Sequence, residues 1–303
     1  MASYVYNAEF QERAVIKMIK VSDLVYSYLK YGKSESETVK IKALDNVNMD
    51  IKDGEFIAII GHNGSGKSTL AKHFNGLLSP ESGSIWIDDK STSEIQNLRD
   101  IRKKVCMVFQ NPDNQIVGST VEEDIAFGLE NMQFPTEDMQ KRIDVSLDAV
   151  NMMNKKNVSP KNLSGGQKQK TAIAGAIAVS PKCLVLDEAT AMLDPKARLD
   201  VIKIAKYLNK TENMTIILIT HFMEEIVDAD KVFVMNKGKV VLSGKPEEVF
   251  SHTEILSEYH LELPPVTQLA ISLKNKGLPL KLPVLKREDL INQIEKIFRS
   301  VQI

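Results

Sequence analysis

Cysteine is scarce in this chain: Cys106 and Cys183 are the only 2 among 303 residues, and each sits inside an apolar run. That leaves little from which to build a disulfide framework or a thiolate metal site, and the pair reads as small hydrophobes kept reduced. Long apolar runs are missing too, and none approaches the roughly 18 to 20 residues that a membrane helix needs. Neither sign of charge dominates: the net charge is −1, so no global basic field favours nucleic acid. The opening MASYVYNAEFQERAV carries Glu9 and Glu12 and no apolar centre, which argues against a signal peptide. What is present, 43% hydrophobic and 26% charged residues, is the balance of an ordinary globular protein. The expectation is a cytosolic chain that meets a membrane only through a partner.

The most informative stretch runs from Phe56 to Leu78. An apolar strand, Phe56 to Ile60, ends at Gly61, and a helical pattern begins near Lys67. Between them GHNGSGKS fits the spacing G-x-x-x-x-G-K-[ST] at Gly61, Gly66, Lys67 and Ser68. Gly61, Gly64 and Gly66 let successive N–H groups turn inward around a phosphate, and the following helix points its positive end at the same anion. Lys67 can reach the β- and γ-phosphates, and the Ser68 hydroxyl can sit on Mg²⁺. A ligand-free glycine turn would not explain the Lys-Ser pair, so this segment binds a nucleoside triphosphate.

Residues 1–15 read as a loose tail. Val15 to Val21 and Leu44 to Ile51 alternate as half-exposed strands, and the polar YLKYGKSESETVK between them (28–40) reads as a loop. Tyr26 and Tyr28, at the end of the first strand, either stack on a purine base or simply edge a sheet. Val105 to Gln110 is a buried strand ending in a glutamine. From there to about residue 160, helical patterns around Val121 to Asn131 and Thr136 to Asn151 suggest a helical subdomain inserted into an α/β core.

LSGGQKQKTAIAGAIAV begins at Leu163, and Ser164, Gly165 and Gly166 open its helix as a second anion-type start. CLVLDEAT, Cys183 to Thr190, holds an apolar strand run ending in Asp187 and Glu188. An acid at such a strand end, beside the phosphate loop, is placed to hold Mg²⁺, and the next acid to polarise an attacking water. Met214 to His221 repeats the pattern with a histidine at the strand end, where the γ-phosphate would be sensed.

GHNGSGKST, Gln110, LSGGQ, LVLDEAT, AMLD and His221, in that order and spacing, resemble an ABC-type ATPase over roughly residues 16–250. VFQNPDNQIVGSTVEEDIAFGLEN, ATAMLDP and the tail ELPPVTQLAISLKNKGL resemble its energy-coupling factor (ECF) branch. The resemblance implies ATP and Mg²⁺ as ligands and uptake of vitamins, or of cobalt and nickel, as the task. It implies a second ATPase subunit, identical or paralogous, a transmembrane coupling protein and a membrane substrate-binding protein. The chain would then lie at the cytoplasmic face of the membrane. Gly61, His62, Asn63, Gly64, Ser65, Gly66, Lys67, Ser68 and Thr69 fall to the phosphates, and Ser68, Gln110 and Asp187 to the metal. Glu188 falls to the base, and His221 and Gln110 to the catalytic surroundings. Tyr28 best matches the adenine-stacking position. Ser164, Gly165, Gly166 and Gln167 would act in trans on the other subunit's ATP, and Asp194 ends an interface loop. Lys170, Ala191 and Ala189 stand where many ABC ATPases carry Arg, Ser and Pro, without predicting a dead site.

The expected fold is α/β: a parallel core with the phosphate loop, an antiparallel β layer, a helical subdomain over about 111–165, and a small C-terminal α-rich domain. The ATPase would span 16–255 and an accessory dimerisation domain 256–303. Helices at Val266 to Asn275 and Arg287 to Phe298 are too short to bury their apolar faces alone. They fold back on their own core or pack on the second subunit. The alternative of a non-transport ABC ATPase is disfavoured by the absence of a long coiled-coil insertion or a second LSGGQ. Glu122, Glu123 and Asp124 either face basic residues of the membrane partner or are acids suited to a helix start.

Overall fold

The computed structural model describes residues 17–30 and 39–301. The expected N-terminal tail, Val15 and Ile16, the middle of the expected loop and the last two residues lie outside them.

The centre is a sheet in the order β10-β9-β3-β8-β7-β6. It comprises β3 (Phe56–Ile60), β6 (Val105–Val108), β7 (Cys183–Asp187), β8 (Thr215–Ile219), β9 (Lys231–Asn236) and β10 (Lys239–Gly244), of which only β10 pairs antiparallel. Its five parallel strands are largely apolar runs because both faces are covered, whereas the edge strand β10 is only partly buried. Along β3 the side chains divide by alternation. Phe56, Ala58 and Ile60 enter one buried cluster with the helices, while Ile57 and Ile59 enter another beneath the second sheet. The phosphate loop and the acid pair leave this sheet from the ends of β3 and β7, which lie on either side of β8.

The second sheet is antiparallel, in the order β2-β1-β4-β5: β1 (Lys17–Lys30), β2 (Val39–Lys52), β4 (Ser82–Ile87) and β5 (Lys90–Ser91). The long loop expected over 28–40 is corrected at both ends. β1 runs to Lys30 and β2 resumes at Val39, with Lys30 opposite Val39 and Tyr28 opposite Ile41. Cross-strand pairing of an aromatic with β-branched residues outweighs the polar composition of the segment.

Helices α1 (Lys67–Phe74) and α2 (Leu98–Lys104) flank the core, and α3 (Val121–Asn131), α4 (Thr136–Ala149) and α5 (Gly165–Ala178) pack on one another as the helical layer. The acids that open α3 are largely engaged. Asp124 Oδ1 accepts the N–H groups of Val117 and Gly118 at 2.7 and 3.0 Å, Glu123 Oε2 accepts that of Ser119 at 3.1 Å, and Glu122 lies 3.5 Å from Lys156. They hold the turn before the helix.

Then come α6 (Pro195–Glu212), α7 (Pro246–Ser251), α8 (Thr253–Glu258), α9 (Pro265–Asn275) and α10 (Arg287–Val301). Phe250, Leu256 and Leu261 belong to the main core, so the main packing unit extends slightly beyond the expected boundary at 255. The last helices bury part of their apolar faces against each other, in a cluster of Ala270, Leu280, Val284 and Leu290. Among the described residues, no helix is long and apolar enough to cross a membrane.

Candidate nucleotide site

A cavity of about 530 Å³ opens between the end of β3, the start of α1 and the end of β7. Tyr28, Asn63, Gly64, Gly66, Lys67, Ser68, Thr69, Gln110, Asp187 and Glu188 line it, so residues far apart in sequence converge as expected. Ile41, Lys42 and Ala43 complete the wall. Sequence reading placed Ile41 to Ala43 outside any site. Only the pairing of Ile41 with Tyr28 brings them here, and no local motif marks them.

The loop is wrapped around Lys67, which is 4% exposed. Its ammonium donates to the carbonyls of Gly61 at 2.8 Å and His62 at 3.1 Å and lies 3.8 Å from Glu188 Oε1. Burial pushes its pKa down, and the nearby Glu188 and Asp187 carboxylates oppose that. Gly66 sits at φ 104°, and a Cβ there would meet the Ala43 carbonyl at 2.6 Å, so only glycine lets the loop pass so close to β2. The β9–β10 turn buttresses the loop: Gly238 N–H donates to Ser65 O at 2.9 Å, and His62 Nε2 is 2.8 Å from Asn236 Oδ1. Asn236 and Gly238 are further supports that the sequence did not reveal.

Ser68 Oγ donates to Asp187 Oδ1 at 2.9 Å. Burial pushes the Asp187 carboxyl up, the Ser68 hydrogen bond opposes this, and the neighbouring Glu188 adds to it. Tyr28 is 40% exposed and its hydroxyl is 3.3 Å from Thr69 Oγ1. Tyr26 stands edge-on behind it, at 5.0 Å from Tyr28 and 4.8 Å from His73. The open ring is Tyr28, and Tyr26 is its support.

Other expected site residues lie apart from this wall. His221 is exposed and meets the Phe222 ring at 4.2 Å. Ser164 and Gly165 are exposed at the start of α5, where the Ser164 hydroxyl accepts Gln167 N–H at 3.3 Å and Gln167 Oε1 accepts Ser164 N–H at 3.0 Å. Asp194 caps α6 by accepting Lys196 and Ala197 N–H, both at 3.0 Å. A wider cleft of about 600 Å³ between α4 and α6 is walled by Arg142, Val145 and Tyr207. It meets the carbonyl end of α5 at Ala178, which disfavours an anion.

Residues 44–191 match the family model described as ABC transporter. An energy-coupling factor transporter ATP-binding protein, EcfA1 of Caldanaerobacter subterraneus subsp. tengcongensis, is 52% identical over 261 residues, covering 86% of this chain and 94% of that one. The chain belongs to the ATP-binding proteins of energy-coupling factor ABC transporters. The EcfA1 protein of Clostridium perfringens is 48% identical over 277 residues, 91% of this chain and 97% of that one. The solved structure of cbiO1 from Clostridium perfringens, described as part of the ABC transporter complex cbiONQ, superposes with a TM-score of 0.69 at 38% identity, over 84% of this chain and 98% of that one. The ATP-binding cassette MJ0796, solved as a dimer bound to ADP and Pi, gives a TM-score of 0.67 at 31% identity over 76% and 99%. This ECF family member is therefore an ATPase of the ABC fold.

Proposed function

We propose that the chain hydrolyses ATP to drive uptake of vitamins, or of cobalt and nickel ions, at the cytoplasmic face of a membrane. Its partners in this reading are a second ATPase subunit, a transmembrane coupling protein and a membrane substrate-binding protein. The observation that carries it is the convergence of Lys67, Ser68, Asp187 and Glu188 on one cavity, beneath an exposed Tyr28.

In this reading Gly61 to Gly66, Lys67 and Thr69 hold the phosphates, and Tyr28 stacks on adenine. Ser68 and Asp187 offer a hydroxyl and a carboxylate 2.9 Å apart, with the amide of Gln110 in the same wall, a set of hard oxygens that suits Mg²⁺. Those residues would hold the metal, which supplies charge neutralisation at the phosphates. Glu188 is the base for the attacking water, and His221 contacts the γ-phosphate. Ser164 to Gln167 meet the other subunit's ATP, with Asp194 at the same interface, a reading supported by the dimer seen for MJ0796. Residues 16–255 form the ATPase unit and 256–303 an accessory dimerisation unit. The separate apolar cluster around Ala270 and Leu290 supports a distinct C-terminal unit, which Leu256, Leu261 and Leu285 join to the main core.

The test is Glu188→Gln in the assembled transporter. Hydrolysis should fall by about 10²–10⁴, the contribution of a positioned base, with ATP binding retained. Turnover near wild type would sink the assignment. Identifying what co-purifies from the native membrane tests the partners, and uptake assays with the candidate cargo test the substrate.

A further inference from the structure

One buried carboxylate is not used by these roles. Glu225, 4% exposed, ends the short helical turn Met223–Glu225 that follows β8. Its Oε2 accepts the hydroxyls of Thr190 at 3.1 Å and Thr220 at 2.7 Å, and both threonines are fully buried. Its Oε1 is buried with no hydrogen-bond partner and lies 3.9 Å from Arg198 Nε, which is buried and equally unpartnered. Burial pushes this carboxyl up, and the threonine hydroxyls oppose the shift. An acid in such a place is expensive compared with an apolar residue of similar size.

What Glu225 joins gives a reason for it. Pairing of β7 with β8 ends at Asp187 opposite Ile219, and the Glu188 N–H still donates to Ile219 O at 2.9 Å. Beyond that bond the backbones part, one toward Asp194 and the other toward His221. Thr190 stands two residues after Glu188, and Thr220 immediately precedes His221. Thr220 Oγ1 also accepts Phe222 N–H at 3.0 Å, so His221 is bracketed by a fixed turn. The Arg198 guanidinium covers the Phe222 ring at 3.4 Å. Glu188 itself holds φ 51°, a left-handed conformation that a non-glycine residue keeps only when its surroundings impose it.

We propose that Glu225 is a positioning residue for hydrolysis, its carboxylate clamping the segment that carries Glu188 to the segment that carries His221 beyond the last backbone bond between their strands. This rests on the roles given above to Glu188 and His221. Arg198 lies on α6, the helix capped by Asp194, so a small inward shift of α6 would bring its Nε into hydrogen-bond range of Oε1 and satisfy both atoms. The clamp thereby reaches the loop assigned to the subunit interface.

The experiment uses the full-length chain in its assembled transporter. Glu225→Ala should lower kcat about 10²-fold, the effect of misplacing reacting groups by about 1 Å, while affinity for a fluorescent ATP analogue changes less than about two-fold. Glu225→Gln should recover most of the rate, because an amide oxygen still accepts the hydroxyls. Thr190→Val, nearly isosteric, should lower kcat in the same sense and serves if the alanine variant does not fold. Combined with Glu188→Gln, Glu225→Ala should cost less than the product of the separate losses, since both act on one step. Wild-type kcat in folded Glu225→Ala and Thr190→Val, or fully multiplicative losses, overturns the clamp. Wild-type turnover in Glu188→Gln alone would instead remove the base assignment, and the clamp would then stand or fall on the kcat of Glu225→Ala.

Discussion

The phosphate loop and the signature turn are both glycine-rich starts of helices, yet the molecule finishes them differently. At α1 the N-cap is Gly66 at φ 104°, with no side-chain cap at all. At α5 Ser164 and Gln167 form a reciprocal capping box. The first helix start keeps its N–H groups for something other than its own side chains, and the chain surrounds it with a cavity, a buried lysine and a buttressing turn. The second satisfies two of its own donors, is exposed at Ser164 and Gly165, and does not line that cavity. A helix end that is stable alone yet open to solvent suits contact with another molecule. One chain thus carries an uncapped helix start set in a cavity and, elsewhere, a finished turn that lies outside that cavity.

The sharpest way to break this contrast is to damage each end separately. Ser164→Arg should leave nucleotide affinity intact and lower hydrolysis by about 10²–10³, the loss expected when a preorganised donor site is blocked. Lys67→Ala should instead weaken binding itself, by about 10- to 100-fold, because a charge-assisted contact to phosphate is lost. Mixing the two variants should restore partial turnover if copies of this chain pair, since one composite site then keeps both intact ends. Full hydrolysis by Ser164→Arg, or activity of a demonstrated monomer that is linear in concentration, would erase the distinction between the two regions.

A smaller effect separates function from stability within the cradle. The Asp187 carboxyl is pushed up by burial, with the Ser68 hydrogen bond opposing it. A raised acid in the folded state holds its proton more tightly than in the unfolded chain. Its ionisation therefore destabilises the fold as pH rises above the ordinary carboxyl value. Asp187→Asn should accordingly raise stability at pH 7 by about 1 kcal/mol, as removing a functional strain often does, while hydrolysis collapses. The gain should vanish when melting is repeated below the ordinary carboxyl range near pH 3.8. Equal melting shifts at both pH values would mean that Asp187 is not held against its own solvation.

How far the site was legible follows from where its parts lie. The loop from Gly61 to Ser68 and the acids Asp187 and Glu188 are local patterns, a strand followed at once by its chemistry, so spacing alone exposes them. The Ile41 to Ala43 wall, the Asn236 and Gly238 buttress and the Glu225 clamp come from distant segments with ordinary residue types, and only the sheet order brings them together. The acids from Glu122 to Asp124 show the reverse case. They stand out in the sequence, but Asp124 and Glu123 are taken up by backbone N–H groups next to their own helix. The capping box at Ser164 was likewise spelled in the sequence, by a serine and a glutamine three apart, beneath its reading as an anion site.

The least effect is expected where the tail meets the core. The tail cluster around Ala270 and Leu290 is small, and Leu269, Ile291 and Phe298 stay 52%, 43% and 62% exposed. Its anchors to the main body include buried Leu285 and an ion pair of Lys286 with Asp228 at 2.5 Å, while Lys206 of α6 approaches the same carboxylate at 2.6 Å. Burial pushes the Asp228 pKa up, but the hydrogen bonds from Lys206 and Lys286 outweigh it and hold the group at about 2. A depressed folded pKa contributes stability above the ordinary value near 3.8 that is lost as pH falls toward 2. Because the side chain is 38% exposed, solvent screening keeps that contribution within the roughly 0–1 kcal/mol of surface ion pairs. Asp228→Asn should therefore leave nucleotide binding and turnover unchanged, lower the melting temperature only slightly, and speed proteolytic cleavage between Leu263 and Arg287. Raising the salt should bring the wild type toward the variant, since screening weakens the same pair. Cleavage equally slow in both proteins at low salt would mean that Leu285 and its apolar neighbours hold the tail without help from the carboxylate.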